Sequence, residues 1–310
     1  MNNIKQTTPW VEKYRPDTFD KIVLEKYNKL FLENIISMDM FPNILLYGPP
    51  GTGKTTTVIN LIKCYQEKHK CCDKSLVIHL NASDERGIDI IRNNINSFVN
   101  SKSLFNKGMK FVILDEVDYM TKNAQQALKY LLYSHPENVR FCLICNYISK
   151  IDESLQNDFV KMRFNQLPKD KTISFLRNIS DKEQLTYTNI QLESIQHIFN
   201  SDLRSMINYM QSNQNVNFKH EIISNDTWEI LLQTCKSDRN DAIQMANQIC
   251  YTQNIELKNI IKTFINYIIR YKSEYVNSHF LDICQIVSHS QDIKSSYLLN
   301  YLFSELRELL

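Results

Sequence analysis

The stretch Gly48-Pro-Pro-Gly-Thr-Gly-Lys-Thr55 limits the fold of this chain more than any other eight residues. Three of the five glycines in 310 residues fall inside it. Glycine belongs where a backbone turns tightly or approaches a ligand closely. The spacing fits G-x-x-x-x-G-K-[ST], a loop whose backbone N–H groups cradle phosphates while Lys54 reaches the outer phosphates and the Thr55 hydroxyl ligates Mg²⁺. An apolar run, Ile44-Leu45-Leu46-Tyr47, precedes the loop. Behind it, Val58, Leu61, Ile62 and Tyr65 recur at helical spacing. That helix aims its N-terminal dipole at the phosphates. Gly48, Pro49, Pro50, Gly51, Thr52, Gly53, Lys54, Thr55 and Thr56 are therefore the candidate nucleotide cradle.

Up to Pro168 the chain alternates strand-like runs (Asn43–Tyr47, Leu76–Leu80, Phe111–Asp115, Phe141–Cys145) with amphipathic helices, which argues for an α/β fold with a parallel sheet. All seven prolines and all five glycines lie before Lys169, so nothing breaks helices beyond it. Leu192, Ile195, Ile198 and Phe199, then Ile261, Phe264, Ile265 and Ile268, mark helix faces. Asn/Ser/Asp-rich breaks near 200, 213–217 and 224–226 divide that remainder into two small helical domains.

A second phosphate-chemistry motif ends an apolar strand: Phe111-Val-Ile-Leu-Asp115-Glu116-Val-Asp118. A strand end projects neighbouring residues into one mouth, where Asp115 can orient Mg²⁺ and Glu116 can polarise a water for attack on a γ-phosphate. The next strand ends at Asn146, whose amide could hold that water or sense the γ-phosphate; a plain turn former is the competing reading. Ser201-Asp202-Leu203-Arg204 looks like a helix start with Ser201 or Asp202 as N-cap. An arginine in a first turn opposes the helix dipole, so Arg204 reads either as a clamp on the nucleotide or as a solvated charge. Near the N-terminus, Pro9-Trp10-Val11-Glu12-Lys13-Tyr14-Arg15-Pro16 is bounded by prolines that disfavour helix. It reads as a strap packed by Trp10 and Tyr14, as a lip over a bound base formed by Val11, Tyr14 and Arg15, or as both.

Formal net charge is +2 with 23% charged residues, so any DNA contact must come from local placement of charge. No stretch approaches the eighteen or so apolar residues of a membrane span, and Met1-Asn-Asn-Ile-Lys5 lacks a signal-peptide core. A soluble intracellular protein with no membrane partner is expected. The eight cysteines do not form a disulfide framework. Cys64, His69, Cys71 and Cys72 could in principle supply four zinc ligands. However, Cys64 belongs to a helix face and adjacent cysteines are an awkward pair for one tetrahedral metal, so no zinc is expected.

Together the string Trp10…Glu12-Lys-Tyr-Arg-Pro16, the phosphate loop, Leu80-Asn-Ala-Ser-Asp-Glu-Arg-Gly-Ile-Asp89, Leu114-Asp-Glu-Val-Asp118 with Ala124-Gln-Gln-Ala-Leu128, and Cys145-Asn146-Tyr147 resemble a small subunit of replication factor C. This is the AAA+ clamp loader of eukaryotes, archaea and some large DNA viruses. The resemblance is specific through about Phe164 and again at Asp202-Leu203-Arg204. It implies an AAA+ P-loop NTPase core over 1–165, a helical lid over 166–225 and an all-α oligomerisation collar over 226–310. Asn146 would be sensor 1 and Arg204 sensor 2, with ATP and Mg²⁺ as cofactors. The implied partners are other clamp-loader subunits in a hetero-oligomeric pentamer, a PCNA-like sliding clamp and primer-template DNA. The implied site of action is the nucleus of a eukaryotic cell, or the cytoplasm or viral replication site for an archaeal or viral chain. By the same resemblance Arg92 and Lys129 are candidates to touch DNA phosphates, contacts that would be sequence-independent and salt-sensitive.

One departure matters. Small subunits carry Ser-Arg-Cys a little after sensor 1, with the arginine entering the neighbour's ATP site, whereas here Leu155-Gln-Asn-Asp158-Phe159 places Asp158 there. Such an arginine is worth about 10³–10⁵ in rate, or roughly 4–7 kcal/mol of barrier. Lys161 or Arg163 would have to reach over from the next strand-like segment. Two alternatives therefore stand beside the clamp-loader ATPase: a subunit that binds ATP but turns it over little, and another AAA+ DNA-processing ATPase, such as a Holliday-junction motor or an origin-binding protein.

Overall fold

The computed structural model describes residues 8–38, 40–71, 73–83, 94–101, 108–134, 138–214, 225–253, 255–290 and 293–309. Near-continuous apolar runs become the three central strands, covered on both faces. β1 (Ile44–Tyr47), β2 (Val77–Asn81), β3 (Lys110–Asp115), β4 (Val139–Cys145) and β5 (Val160–Arg163) form one parallel sheet in the order β2-β3-β4-β1-β5. Alternation along the strands sorts the core. Ile44, Leu46, Phe111, Ile113, Cys142 and Ile144 pack with Leu32, Phe41, Val58 and Leu61 on one side. Leu45, Val112, Leu114, Phe141 and Leu143 pack with Ala124, Leu128 and Leu132 on the other. Because successive side chains point to opposite faces, β1, β3 and β4 each feed both layers.

Sequence patterns and elements agree closely here. Val58, Leu61, Ile62 and Tyr65 line the buried face of the helix Lys54–Lys68. One buried cation needs an account: Lys110, in β3, donates from Nζ to the carbonyls of Phe98 (2.7 Å), Val99 (3.1 Å) and Ser101. It caps the orphan carbonyls at the end of the helix Asn96–Asn100.

The chain divides into two compact units, Met1–Phe175 with Ser201–Ser205, and Leu176–Asn200 with Met206–Leu310. The sheet and its covering helices belong to the first. Among its described residues the second is helical, including Asn189–Phe199, Asn225–Ser237, Arg239–Gln253, Leu257–Tyr271, Ser278–His289 and Ser295–Leu309. Thr188 and Gln191 close a capping box at the first of these. Trp228, Phe264 and Phe303 stack in its core with ring centres 5.9 Å apart in each step. Of the expected faces, Leu192/Ile195/Ile198 and Ile261/Phe264/Ile265/Ile268 are buried, and Phe199 is half-buried. No described helix is long and apolar enough to cross a membrane.

One expectation is corrected. Trp10–Lys13 is a helical turn despite the flanking prolines. Pro9 sits at its N-cap, where a missing N–H costs nothing, and its carbonyl accepts from Glu12 N (2.9 Å) and Lys13 N (3.0 Å). The strap reading fares better: Trp10 is buried, and its ring meets Tyr14 edge-on at 6.4 Å.

Candidate functional site

In the order β3-β4-β1 three strand ends stand side by side, and each carries one part of the site. Ligands of open α/β sheets bind outside these carboxyl ends. β1 runs into the phosphate loop, where Gly48, Gly51 and Gly53 adopt φ of +144°, +71° and +86°. A Cβ on Gly48 would lie 2.1 Å from the Phe164 carbonyl oxygen, whereas one on Gly53 would meet nothing within 4 Å among the described residues. Thr57 N donates to Gly53 O (2.9 Å), opening the helix Lys54–Lys68, and no side chain among the described residues caps its N-terminus. Its first-turn N–H groups suit an anion. Thr52 Oγ1 donates to Pro49 O (2.9 Å), tightening the loop from inside.

Lys54 is buried, and its Nζ donates to Gly48 O (2.8 Å), Pro49 O (2.8 Å) and Asn146 Oδ1 (3.0 Å). Burial pulls its ammonium below the usual lysine range, and the Asp115 carboxylate opposes that shift. The Asn146 contact joins the ends of β1 and β4. With its oxygen so engaged, the amide keeps its NH₂ end for a phosphate oxygen or a water. Thr55 Oγ1 donates to Asp115 Oδ2 at 2.6 Å, joining β3 to the loop. Asp115 Oδ1 accepts from Glu116 N (2.9 Å), and Glu116 takes a left-handed φ of +56°, turning the chain sharply after the strand. A hydroxyl and a carboxylate in contact are hard oxygen donors, the set Mg²⁺ takes alongside substrate phosphates, so Thr55 and Asp115 fit that ion.

Arg204 comes to the same loop. Leu203 N donates to Gly51 O (3.2 Å), and a Cβ on Gly51 would strike Asp202 Oδ1 at 1.9 Å. Asp202 is the N-cap: Oδ1 accepts from Ser205 N (3.1 Å) and Oδ2 from Ser205 Oγ (2.8 Å). Ser201 instead accepts from Leu167 N (2.9 Å). Arg204 is exposed in the turn that follows, and its charge is felt at Lys54. The N-terminal strap is tied to the phosphate-loop helix by Asn60, whose Nδ2 donates to Pro16 O (3.0 Å). Within that strap Val11 and Tyr14 are half-buried, and Arg15 pairs with Glu12 at 2.6 Å.

Asp158 is not aimed outward. Its Oδ1 accepts from the Tyr133 hydroxyl (2.9 Å), which pushes that phenol's pKa up, and its Oδ2 is buried without a partner among the described residues. Lys161 and Arg163 lie exposed on β5. Lys129 donates to Ser154 O (3.2 Å). Arg92, Cys72 and the 84–89 part of the Leu80–Asp89 box fall outside the described residues. Among the described residues no three His, Cys, Asp or Glu side chains are grouped to hold a metal.

Two residues given no role from sequence belong to the site's frame. Asp118 is buried; Oδ1 lacks a partner among the described residues and Oδ2 accepts from Tyr147 N (3.4 Å), linking the turns after β3 and β4. With burial, its charge lifts the Cys145 thiol to about 12. Gln125, also buried, donates to Met120 O (3.3 Å) and Lys150 O (3.1 Å) and accepts from Asp152 N (2.7 Å). The sequence signals Gln125 only through the Ala124–Leu128 string of the family resemblance.

Residues 44–167 match the family described as ATPase family associated with various cellular activities (AAA). Over 207 residues the chain is 42% identical to replication factor C subunit 5 of Homo sapiens, covering 66% of this chain and 59% of that protein. Replication factor C subunit 3 of Saccharomyces cerevisiae is 36% identical over 208 residues, 67% of this chain and 60% of that one. The match thus spans about 60% of the length of these relatives. With the probable replication factor C subunit 5 of Dictyostelium discoideum it extends over 309 residues at 31% identity, 93% of this chain and 85% of that protein. Among solved structures, Cdc6p from Pyrobaculum aerophilum aligns with a TM-score of 0.53 at 14% identity, covering 96% of this chain and 98% of that one. The RuvB Holliday junction branch migration motor of Thermotoga maritima gives 0.52 at 12%, covering 83% and 91%. At such identities the likeness is one of fold alone.

Proposed function

This chain belongs to the replication factor C subunit family, and from that premise we propose that it is an ATP-hydrolysing clamp-loader subunit. In this reading it works within a hetero-oligomer, a pentamer, that opens a PCNA-like sliding clamp and places it on primer-template DNA at the site of replication. The observation that carries the reading is the convergence of three strand ends: Lys54 on Asn146 at 3.0 Å and Thr55 on Asp115 at 2.6 Å. Residues 1–165 would be the ATPase core, 166–225 a lid and 226–310 the oligomerisation collar.

In the proposed mechanism the loop Gly48–Thr56 cradles the phosphates and Lys54 moves from the loop carbonyls to the outer phosphates. Mg²⁺, held through Thr55 and Asp115, would neutralise charge developing on the phosphates. Glu116 takes the proton of the attacking water, Asn146 orients that water and Arg204 steadies the γ-phosphate. Val11, Tyr14 and Arg15 border the base. Lys129 and Arg92 contribute to the DNA-facing charge.

A specific observation favours a second reading, that the chain holds ATP chiefly to shape the assembly: Asp158 is committed to Tyr133 and supplies no cation to a neighbour. Steady-state ATP hydrolysis separates the two. The purified chain is assayed alone and with partner subunits, clamp and primed DNA, beside a Glu116→Gln control. Turnover that appears in the mixture and collapses in the control supports the ATPase. A control that changes nothing while loading still needs the chain gives the structural reading the case.

A further inference from the structure

Beyond the phosphate site, the first unit presents a side-chain cluster that the mechanism leaves unused. Lys150 Nζ stands 5.3 Å from the ring centre of Tyr119 and 5.2 Å from that of Tyr147. The two tyrosines are 56% and 55% exposed, unlike the core rings Phe41, Tyr65 and Phe111, which pack on one another. Lys150 is exposed and forms no ion pair among the described residues, and neither tyrosine hydroxyl has a hydrogen-bond partner there. Asp152, two residues after Lys150, is used elsewhere, since its Oδ1 accepts from Ser154 N (2.8 Å) as a helix cap.

The backbone beneath these three side chains is fixed by amides placed under it. Gln125 holds Met120, Lys150 and Asp152. Gln156 Nε2 donates to Ile148 O (3.1 Å) and Ile151 O (2.9 Å), while Asp118 accepts from Tyr147 N. Two solvent-facing rings and one cation on pre-ordered turns bind a flat partner without the cost of ordering a loop.

We propose that Tyr119, Tyr147 and Lys150 form a stacking site for unpaired bases of single-stranded DNA, with Lys150 taking a backbone phosphate. The proposal rests on the reading of the chain as a DNA-handling ATPase. A single strand offers a π face and a phosphate at every nucleotide, which is what ring plus ammonium recognise, whereas a duplex hides its base faces. The site is joined to the nucleotide pocket through covalent neighbours. Tyr147 follows Asn146, and Tyr119 ends the 3-10 turn Val117–Tyr119 that Glu116 opens. A strand seated on the rings therefore bears on the two residues proposed to handle the attacking water.

The test uses the full chain with a dye-labelled oligothymidine and a blunt duplex of equal length, read by fluorescence anisotropy over a salt series. Circular dichroism first checks that each variant is folded. The Tyr119→Leu/Tyr147→Leu variant should lose about 5- to 150-fold in single-strand affinity per stacked base lost, with duplex binding unchanged. Tyr119→Phe/Tyr147→Phe should retain binding, and Lys150→Gln should lower the single-strand salt slope by about 0.7. Equal losses on both DNA forms, or a leucine variant that binds single strands like the parent, overturn the proposal. So does a leucine variant that keeps single-strand binding but no longer joins partner subunits, which makes the cluster a protein interface. A parent chain that binds duplex alone overturns this inference only; one that binds neither form at low salt overturns the DNA-handling reading with it.

Discussion

Replacing Gly48 and Gly53 by alanine, one at a time, separates what the phosphate loop does for the fold from what it does for the ligand. At Gly48 an alanine must hold a φ of +144°, a glycine-only region that costs about 1–3 kcal/mol. Its Cβ would also sit 2.1 Å from the Phe164 carbonyl oxygen and 3.0 Å from the carbonyl carbon. That backbone cannot yield cheaply. Phe164 is 1% exposed, and its N–H donates to Tyr47 O at 2.7 Å, where β5 leaves β1. Overpacking adds about 1–3 kcal/mol, for a total of roughly 2–6 kcal/mol and a fall in melting temperature on the order of 4–20 °C. At Gly53 the φ of +86° carries the strain alone, since no atom of the described residues lies within 4 Å of the new Cβ. Gly53 immediately precedes the helix Lys54–Lys68, whose first-turn N–H groups suit a phosphate, so the cost should fall on phosphate approach. Melting by circular dichroism, with and without a non-hydrolysable ATP analogue and Mg²⁺, reads both. A ligand at 100 times its Kd stabilises the parent by about 2.7 kcal/mol. Gly48→Ala should show the larger loss of melting temperature, and Gly53→Ala the larger loss of the ligand-induced rise. A Gly53→Ala protein that melts as low as Gly48→Ala, or keeps the whole ligand effect, refutes the reasoning.

Three further outcomes are expected. Asp158→Arg removes the acceptor of the Tyr133 hydroxyl and supplies a cation; in a mixture with partner subunits it should raise ATP turnover, toward the roughly 10³–10⁵-fold an arginine in trans contributes, and unchanged turnover would count against the missing-finger account. Burial lifts the Cys145 thiol from 9.0 to about 12, so the unfolded chain ionises first and stability should fall as pH rises from about 9 toward 12; Cys145→Ala should flatten that decline in a melting series, and an identical slope contradicts the assignment. Chelation of Mg²⁺ should abolish hydrolysis, and Thr55→Val should raise the Mg²⁺ concentration needed for half-maximal rate, a requirement that would stay put if Thr55 Oγ1 does not serve the ion.

Local chemistry explains how much the sequence disclosed. The phosphate loop, the acid pair Asp115/Glu116 and the apolar strands are short-range patterns, and the structure places them as read. Arg204 stands out because it sits where a helix dipole does not want it; its helix start lies against Gly51, and its clamp role remains a proposal. Proline-bounded sequence hides the helical turn at Trp10, because Pro9 reads as a breaker yet is harmless at an N-cap. Between Ser201 and Asp202 only the fold decides, since Ser201 is taken by Leu167, 34 residues away in the chain. Pairings of that kind leave no periodic trace. The Tyr133–Asp158 bond and the Gln125 hydrogen bonds to Lys150 and Asp152 each span 25 residues or more, and are invisible for the same reason.

The central claim is that this chain's ATP site drives the loading of a clamp, and reconstituted loading tests it most directly. A labelled ring-shaped clamp is loaded onto primed circular DNA by the partner subunits with the parent chain, with Lys54→Ala, or with no chain added. The account predicts loading with the parent, near-background loading without the chain, and a severe defect with Lys54→Ala in assemblies that still form. Loading by the Lys54→Ala assembly at the parent's rate would contradict it.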